Sequence, residues 1–377
     1  MNFDFSDDQK LLRDQARKFL TDKCDRSTVR TVLEDNSNYY SNDLWKSISE
    51  MGWTGTAIPE EYGGLGLGML ELCIIAEELG RSLAPTPFST TIYLFAEFIK
   101  LYGNEEQKTK ILPLIASGEK IGTFALSETN GTPKPSNIST EENGLKLTGT
   151  KSPVSDGQSA DYIIVAANSD SNKDANSLSL YIIDKSQEGV ELSELETIDP
   201  TRPACTVNLK AANCEMLGEK GNGWNMIENI FNRAAVLFSF EQVGGAQVSL
   251  AEDKKYSLES FAFGRPIGSF QSLKQRMADM YVKIELARSN AYYGAWALST
   301  DSAELPVAAA GARVSASDAF NYSSQENIQI HGGVGFTWEY DCHLFYRRSK
   351  LLSLNIGSQR QWKENLISNL EKRNILQ

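Results

Sequence analysis

Tyr162-Ile163-Ile164-Val165-Ala166 and Leu178-Ser179-Leu180-Tyr181-Ile182-Ile183 are the two stretches on which the fold class turns. Both are short, rich in β-branched and aromatic residues, and bounded by polar clusters, which is the pattern of strands rather than helices. Thr123-Phe124-Ala125-Leu126 and Leu145-Lys146-Leu147-Thr148 are of the same kind. Gly, Asn, Asp and Pro punctuate these runs at roughly 10–20-residue intervals. Residues 121–220 therefore read as a small antiparallel, barrel-like β-domain. Residues 169–177 show no periodicity and read as a solvated hairpin loop.

On either side the hydrophobic period changes from two to about 3.6. In residues 1–120, Ser6-Asp7-Asp8-Gln9 has capping-box spacing ahead of Leu11, Leu12, Ala16, Phe19 and Leu20 on one face. Leu44, Trp45, Ile48 and Met51 recur before a stop at Gly52. Residues 69–83 form an apolar helix ended by Pro85 and Pro87. Further helices cover residues 93–102, stopping at Gly103-Asn104, and residues 105–118. Beyond Gly221-Asn222-Gly223-Trp224 the chain reads as helical to its end. Periodic segments at about 224–260, 268–299, 304–328 and 340–352 suit an antiparallel four-helix bundle. The expectation is a mainly α protein with a central small β-domain: an N-terminal helical domain at 1–120, the β-domain at 121–220, and a C-terminal bundle at 221–377.

Composition narrows the function. Among 377 residues, 49 Asp and Glu outnumber 37 Lys and Arg, a net charge of −12. That balance argues against nucleic acid as a partner, because phosphate contacts need clustered cations. The 41% hydrophobic and 23% charged fractions are those of a globular protein. No run reaches the ~18 apolar residues of a membrane span. The start, Met1-Asn2-Phe3-Asp4-Phe5-Ser6-Asp7-Asp8, carries acid where a signal peptide carries base. A soluble cytoplasmic protein with no membrane partner is expected. Cys24, Cys73, Cys205, Cys214 and Cys342 are scattered, and the two histidines are His331 and His343, so neither a metal site nor a disulfide framework is expected. Gly63-Gly64-Leu65-Gly66-Leu67-Gly68 lacks dinucleotide-loop spacing and a preceding strand, so it reads as a turn before the helix at Met69.

Four strings carry a resemblance. They are Pro59-Glu60-Glu61-Tyr62-Gly63-Gly64-Leu65-Gly66, Gly118-Glu119 ahead of Phe124-Ala125-Leu126-Ser127-Glu128, Phe263-Gly264-Arg265-Pro266-Ile267-Gly268-Ser269-Phe270-Gln271, and Gln329-Ile330-His331-Gly332-Gly333-Val334-Gly335-Phe336. In this order and spacing the chain resembles the acyl-CoA dehydrogenase family of flavoproteins over essentially its whole length. It is nearest the branch acting on bulky acyl-CoAs such as steroid side-chain thioesters. The resemblance implies FAD as cofactor and an acyl-CoA substrate oxidised to the 2-enoyl-CoA. It also implies an electron-transfer flavoprotein as electron acceptor, and a homotetramer or a heterotetramer with a second chain of the family. It implies that Gln329, Gly332 and Gly333 grip the ADP half of FAD bound mainly by a neighbouring subunit. The competing reading of that segment is a helix C-cap with Gly332 left-handed. Phe263, Arg265, Gln271 and Ser358 match further cofactor positions. Thr132 is a further cofactor position; Ser127 and Ser155 match positions near the flavin ring, and the two serines also read as ordinary strand-end residues.

The chain departs from the family pattern in several places. Ser260 stands where a phosphate-pairing arginine is frequent, Ser127-Glu128-Thr129-Asn130-Gly131-Thr132-Pro133-Lys134 replaces a Thr-Glu-Pro loop, and Pro153 replaces the aromatic that shields the flavin. The family's two positions for the general base also lack an acid. Its frequent position, 24 residues after Gly332, is Ile356, and a second family position falls in Asn232-Arg233-Ala234-Ala235. Glu241 remains, an acid in the otherwise apolar run from Ala234 to Ala246 and about two turns from that second position. A carboxylate there either acts as the base with a raised pKa or is locked in a structural salt bridge. Arg233 either contacts the CoA or supports its helix. Three functions stay open: an acyl-CoA dehydrogenase, a weakened partner subunit of a heteromeric dehydrogenase, and a flavoenzyme of the same fold with other chemistry.

Overall fold

A computed structural model describes residues 5–35, 38–128, 131–169 and 174–375. The helices ahead of the sheet are α1 Asp7–Lys23, α2 Arg26–Glu34, α3 Asn42–Glu50, α4 Met69–Ser82, α5 Glu97–Tyr102 and α6 Glu105–Ala116. The strands are β1 Gly122–Ala125, β2 Glu141–Glu142, β3 Lys146–Ser155, β4 Tyr162–Asn168, β5 Leu178–Asp184, β6 Val190–Leu195, β7 Ala204–Asn213 and β8 Glu215–Leu217. After them come α7 Gly223–Glu259, the hairpin β9 Phe261–Ala262 and β10 Arg265–Pro266, then α8 Gln271–Ser299, α9 Leu305–His331, α10 Cys342–Leu352 and α11 Gln359–Ile375. This is the expected order of helices, strands and helices.

The chain divides into two compact units. One comprises Arg30–Gly68 and Pro85–Ala234 and holds the sheet. Its strand order is β6-β7-β3-β2-β4-β5-β8, with β1 on β4. The sheet is open and mixed rather than wholly antiparallel: β1 runs parallel to β4, and β2 meets β4 in parallel at Glu141 and Asn168. A parallel pair needs a long connection, which β2 and β3 supply between β1 and β4. The helix expected at 93–102 begins earlier, as π-helical turns over Ser89–Ala96 that pass into α5. There Thr90 Oγ1 donates to Pro87 O (3.0 Å) and Thr91 Oγ1 to Gly122 O (3.1 Å). The glycine-rich stretch at 63–68 is a turn: a Cβ on Gly64 would lie 2.0 Å from Ile58 O. Of the expected hairpin loop at 169–177, residues 170–173 lie outside the described residues, as do Thr129 and Asn130 of the loop after β1.

The other unit comprises Met1–Val29, Met69–Ala84 and Ala235–Gln377. It contains α1, with the expected Ser6–Gln9 capping box formed in both directions, α4, the later part of α7, and α8 to α11. α11 adds to the four bundle segments read from sequence. Val243, Ala287, Ala316 and Ala319 form a fully buried cluster whose small side chains let α7, α8 and α9 approach closely. α4 and α7 come closer still. A Cβ on Gly80 would lie 2.0 Å from Glu241 O, and one on Gly244 would lie 2.1 Å from Glu77 O. Among the described residues no helix is long and apolar enough to cross a membrane.

This crossing predicts the effect of Gly80→Ala. In a free helix the change would stabilise by about 1 kcal/mol. Here the added methyl meets main chain, which cannot rotate away, and such overpacking costs about 1–3 kcal/mol. A thermal midpoint lowered by several degrees is expected, and an unchanged or raised midpoint would refute the close crossing.

Candidate functional site

Glu241 lies on α7 where the helix is lined by apolar and small residues, and it is only 4% exposed. A buried cation on which the Glu241 charge acts comes from α9. Arg313 is fully buried; its Nη1 donates to Gln242 Oε1 (2.8 Å), and its Nη2 donates to Leu352 O at the end of α10. Gln242 Nε2 donates onward to Ser317 Oγ (3.1 Å), and the guanidinium lies 5.5 Å from the centre of the Phe238 ring. Burial pulls the Arg313 pKa down to about 9, against the opposing pull of the Glu241 charge. Nearby acids have their own cations: Glu77 pairs with Arg288 (2.9 Å) and Glu78 with Arg17 (2.7 Å).

Ile356, at the position where an acid is frequent, is buried, and its carbonyl accepts from Trp362 Nε1 (3.2 Å). Gly357 follows at φ +110°. Ser358 Oγ accepts from Gln361 N (3.3 Å), so this residue starts α11 as its N-cap. Arg233, in the sheet-containing unit, pairs through Nε with Glu97 Oε2 (3.0 Å), and Glu97 also binds Lys100. Of its two readings, the structure puts Arg233 in a buried ion pair.

Gln329, Gly332 and Gly333 form the exposed end of α9. Gly332 caps the helix at φ 62°, ψ −135°. The expected positive φ is present, but ψ is extended rather than left-handed helical, a region open essentially to glycine alone. Neither Gly332 nor Gly333 has any atom within 4 Å of where a Cβ would sit, so a ligand can reach this backbone. The preceding turn is anchored. His331 stacks on Tyr256 (4.1 Å between ring centres) and its Nδ1 lies 2.8 Å from Asn327 O and 3.4 Å from buried Asp253. Desolvation raises the Asp253 pKa to about 6. Tyr256 leads one turn on to Ser260 and the β9–β10 hairpin. There Phe263 is 96% exposed at φ 52°, Arg265 lies over the Phe270 ring (4.1 Å), and exposed Gln271 opens α8.

On the sheet, Ser127 follows β1 and Ser155 ends β3. Ser127 O accepts from Ser152 N (2.7 Å) and Ser155 O from Thr123 Oγ1 (2.7 Å); these are main-chain bonds, and neither hydroxyl is bonded to another of the described residues. Exposed Thr132 lies on the loop beyond, its carbonyl accepting from Asn137 Nδ2 (3.1 Å). Sequence reasoning passed over the groups that hold these positions. Lys151, fully buried in β3, donates to Glu128 Oε1 (2.6 Å) and Leu126 O (3.2 Å). Glu128 also accepts from Ser139 N (2.5 Å) and Thr140 N (3.0 Å). Asp156, next to Ser155, binds Arg202 (2.7 Å) and Thr90 (2.7 Å).

Comparison with known proteins identifies the fold and its helical ends. Residues 6–119 match the family model described as acyl-CoA dehydrogenase, N-terminal domain, and residues 221–366 match acyl-CoA dehydrogenase, C-terminal domain. The chain belongs to the acyl-CoA dehydrogenase family. It is similar to acyl-CoA dehydrogenase IpdE2 of Mycobacterium tuberculosis, with 31% identity covering 91% of each chain. Among solved structures it is similar to butyryl-CoA dehydrogenase of Megasphaera elsdenii (TM-score 0.89, 26% identity, 98% of this chain and 100% of the other). It is similar also to an acyl-CoA dehydrogenase complexed with FAD from Bacillus anthracis (TM-score 0.88, 25% identity, 99% of this chain and 68% of the other).

The residues present fit the cofactor this family implies. The open backbone at Gly332 and Gly333, with the exposed donors of Gln329, Arg265 and Gln271, suits an anionic diphosphate. The hydroxyls of Ser127 and Ser155 suit the polar edge of a ring system. The loop that carries Ser127 depends on a charge. Burial alone would raise the Glu128 pKa, but Lys151, Ser139 and Thr140 outweigh it and hold the group at about 2, against an ordinary 4.5. A depressed carboxylate contributes stability that is complete above its unfolded pKa and is lost as pH falls towards its folded one. The thermal-midpoint advantage of wild type over Glu128→Gln should therefore be greatest between about pH 5 and pH 8, where Lys151, which burial holds at about 8, still carries its charge, and should shrink steadily towards pH 2–3. A difference independent of pH would remove the ion pair from the account.

Proposed function

We propose that this chain is an FAD-dependent acyl-CoA dehydrogenase that oxidises an acyl-CoA thioester to the 2-enoyl-CoA, with Glu241 as general base. The observation that carries this reading is a buried carboxylate on a rigid helix, in a chain of this family that has Ile356 where the acid is frequent. Removal of the proton at C2 of a thioester needs a base that is ionised yet poorly solvated. Buried Phe238 and Phe240, just before Glu241 on α7, contribute to the dry surroundings, and the carboxylate takes the proton. FAD, when bound, supplies the acceptor for the hydride that leaves C3. In this reading Ser127, Thr132 and Ser155 orient the ring end of the cofactor. Gln329, Gly332 and Gly333, with Phe263, Arg265 and Gln271, hold the ADP half of a neighbouring subunit's cofactor. Ser358 serves the cofactor through its O–H, which remains free to donate when the oxygen caps α11. The three-domain division at 1–120, 121–220 and 221–377 follows the same family pattern. An electron-transfer flavoprotein takes the electrons onward, and the working assembly is a tetramer in the cytoplasm.

The test is Glu241→Gln in the flavinated protein, assayed over a broad acyl-CoA panel. Loss of a positioned base lowers turnover by about 10²–10⁴-fold. The visible flavin absorbance per protomer should be unchanged. Turnover near that of wild type would remove Glu241 from the mechanism, and absence of any enoyl-CoA from wild type would overturn the dehydrogenase reading.

A further inference from the structure

The segment Ala308-Ala309-Ala310-Gly311-Ala312-Arg313-Val314-Ser315-Ala316 on α9 consists of small residues around one cation, and that cation is among the largest fully buried side chains of the protein. Two of its hydrogen bonds run in different directions. One goes to Gln242, the residue after Glu241, and the other to the carbonyl of Leu352, the last residue of α10. From Leu352 the chain passes directly into residues 353–358, which contain Ile356. One guanidinium thus ties the turn bearing Glu241 to the segment from which the acid is missing.

We infer that Arg313 is a positioning residue for Glu241: it fixes the Glu241–Gln242 turn against the end of α10 and keeps the buried carboxylate ionised, and so able to accept a proton. The inference rests on the reading of Glu241 as the base. Burial favours the neutral form of a carboxylate, and a nearby guanidinium favours the ionised form. Charges on the other packed helices have partners of their own. On α4, Glu77 pairs with Arg288 of α8, while Glu78 pairs with Arg81 (3.4 Å) and with Arg17 of α1. Tyr292 of α8 feels Glu77 and Arg288. On α10, Arg348 donates to Leu83 O (3.2 Å) and Lys350 to Asn321 Oδ1 (3.2 Å). Among the described residues Glu241 is the one carboxylate that acts on Arg313. Arg313 is held by Gln242 Oε1 and Leu352 O, neutral acceptors whose charge does not change when Glu241 takes up a proton.

The experiment is a double-mutant cycle on the flavinated protein with Arg313→Met, Glu241→Gln and the double variant, read by denaturant unfolding at neutral pH and by the pH dependence of kcat/KM. The two substitutions should be coupled by about tenfold or more in the unfolding constant. The acid limb of the Arg313→Met profile should move up by about one pH unit or more, with turnover recovering at high pH. Arg313→Lys should restore part of both. Additive unfolding effects with an unmoved acid limb would overturn the inference while leaving Glu241 as the base. Coupling in stability with full turnover in Glu241→Gln would overturn the base reading instead. If Arg313→Met does not fold, Arg313→Lys against Arg313→Gln, which differ in charge, decides the same point.

Discussion

A charge removed from water must meet an opposite charge or a full set of hydrogen bonds within a few ångströms, and this constraint organises both units of the protein. Removing one member of such a buried pair typically costs about 3–5 kcal/mol, because the survivor is stranded. In the sheet unit, Lys151 and Glu128 gather the strand and the loop after β1 around one ion pair, while Arg202 and Asp156 fix the end of β3 to Ser89 and Thr90. In the helical unit, Glu77 with Arg288 and Glu78 with Arg17 staple α4 to α8 and α1. These pairs add little net stability over a well-packed apolar core. What they select is one arrangement of the backbone that carries Ser127, Ser155 and Glu241.

Close packing completes that selection. Gly80 and Gly244 let α4 and α7 touch main chain to main chain at the turn of Glu241, so the carboxylate is carried by backbone that cannot shift without a steric penalty. A base in residues 353–358 would sit on a short connection between α10 and α11. Here that connection has an apolar role, with Ile356 buried and its carbonyl bonded to Trp362, and the proposed base lies instead in the interior of a long helix. A site on a helix is held more rigidly than a site on a loop.

Much of this was legible in the sequence because its signals were local. Ser6–Gln9 marks a helix start within four residues, and its capping box is present; Asn104–Gln107 forms a second one, which was read only as the stop of the preceding helix. β4 and β5 were readable as continuous apolar runs because both are buried almost throughout. β6, with Glu and Ser filling its exposed positions, offered no such run, and α11 buries Trp362 alone, too little to set a period. The membership of the helical ends was carried by short strings of glycine and aromatic residues. Within the candidate site, Glu241 stood out as an acid in an apolar run. Arg313 offered the mirror-image signal in a run of alanines and was not read. Lys151 with Glu128 and His331 with Asp253 are pairs formed only by tertiary structure, and no pattern along the chain links their members.

Ser358 and Gly332 show why a structural role does not compete with a role at the cofactor. A hydroxyl has an O–H to give and lone pairs to receive. Ser358 spends a lone pair on Gln361 N as the cap of α11, and its proton stays available to an anionic or carbonyl oxygen. At the end of α9 the division falls between neighbours. Gly332 N closes the helix on Gln329 O, and the open space beside Gly332 and Gly333 admits a ligand to the main chain beyond that bond. Capping the helix thus fixes where the exposed backbone points. The helix C-cap and the proposed phosphate cradle, which are rival readings of the same glycines in sequence, are compatible in one turn.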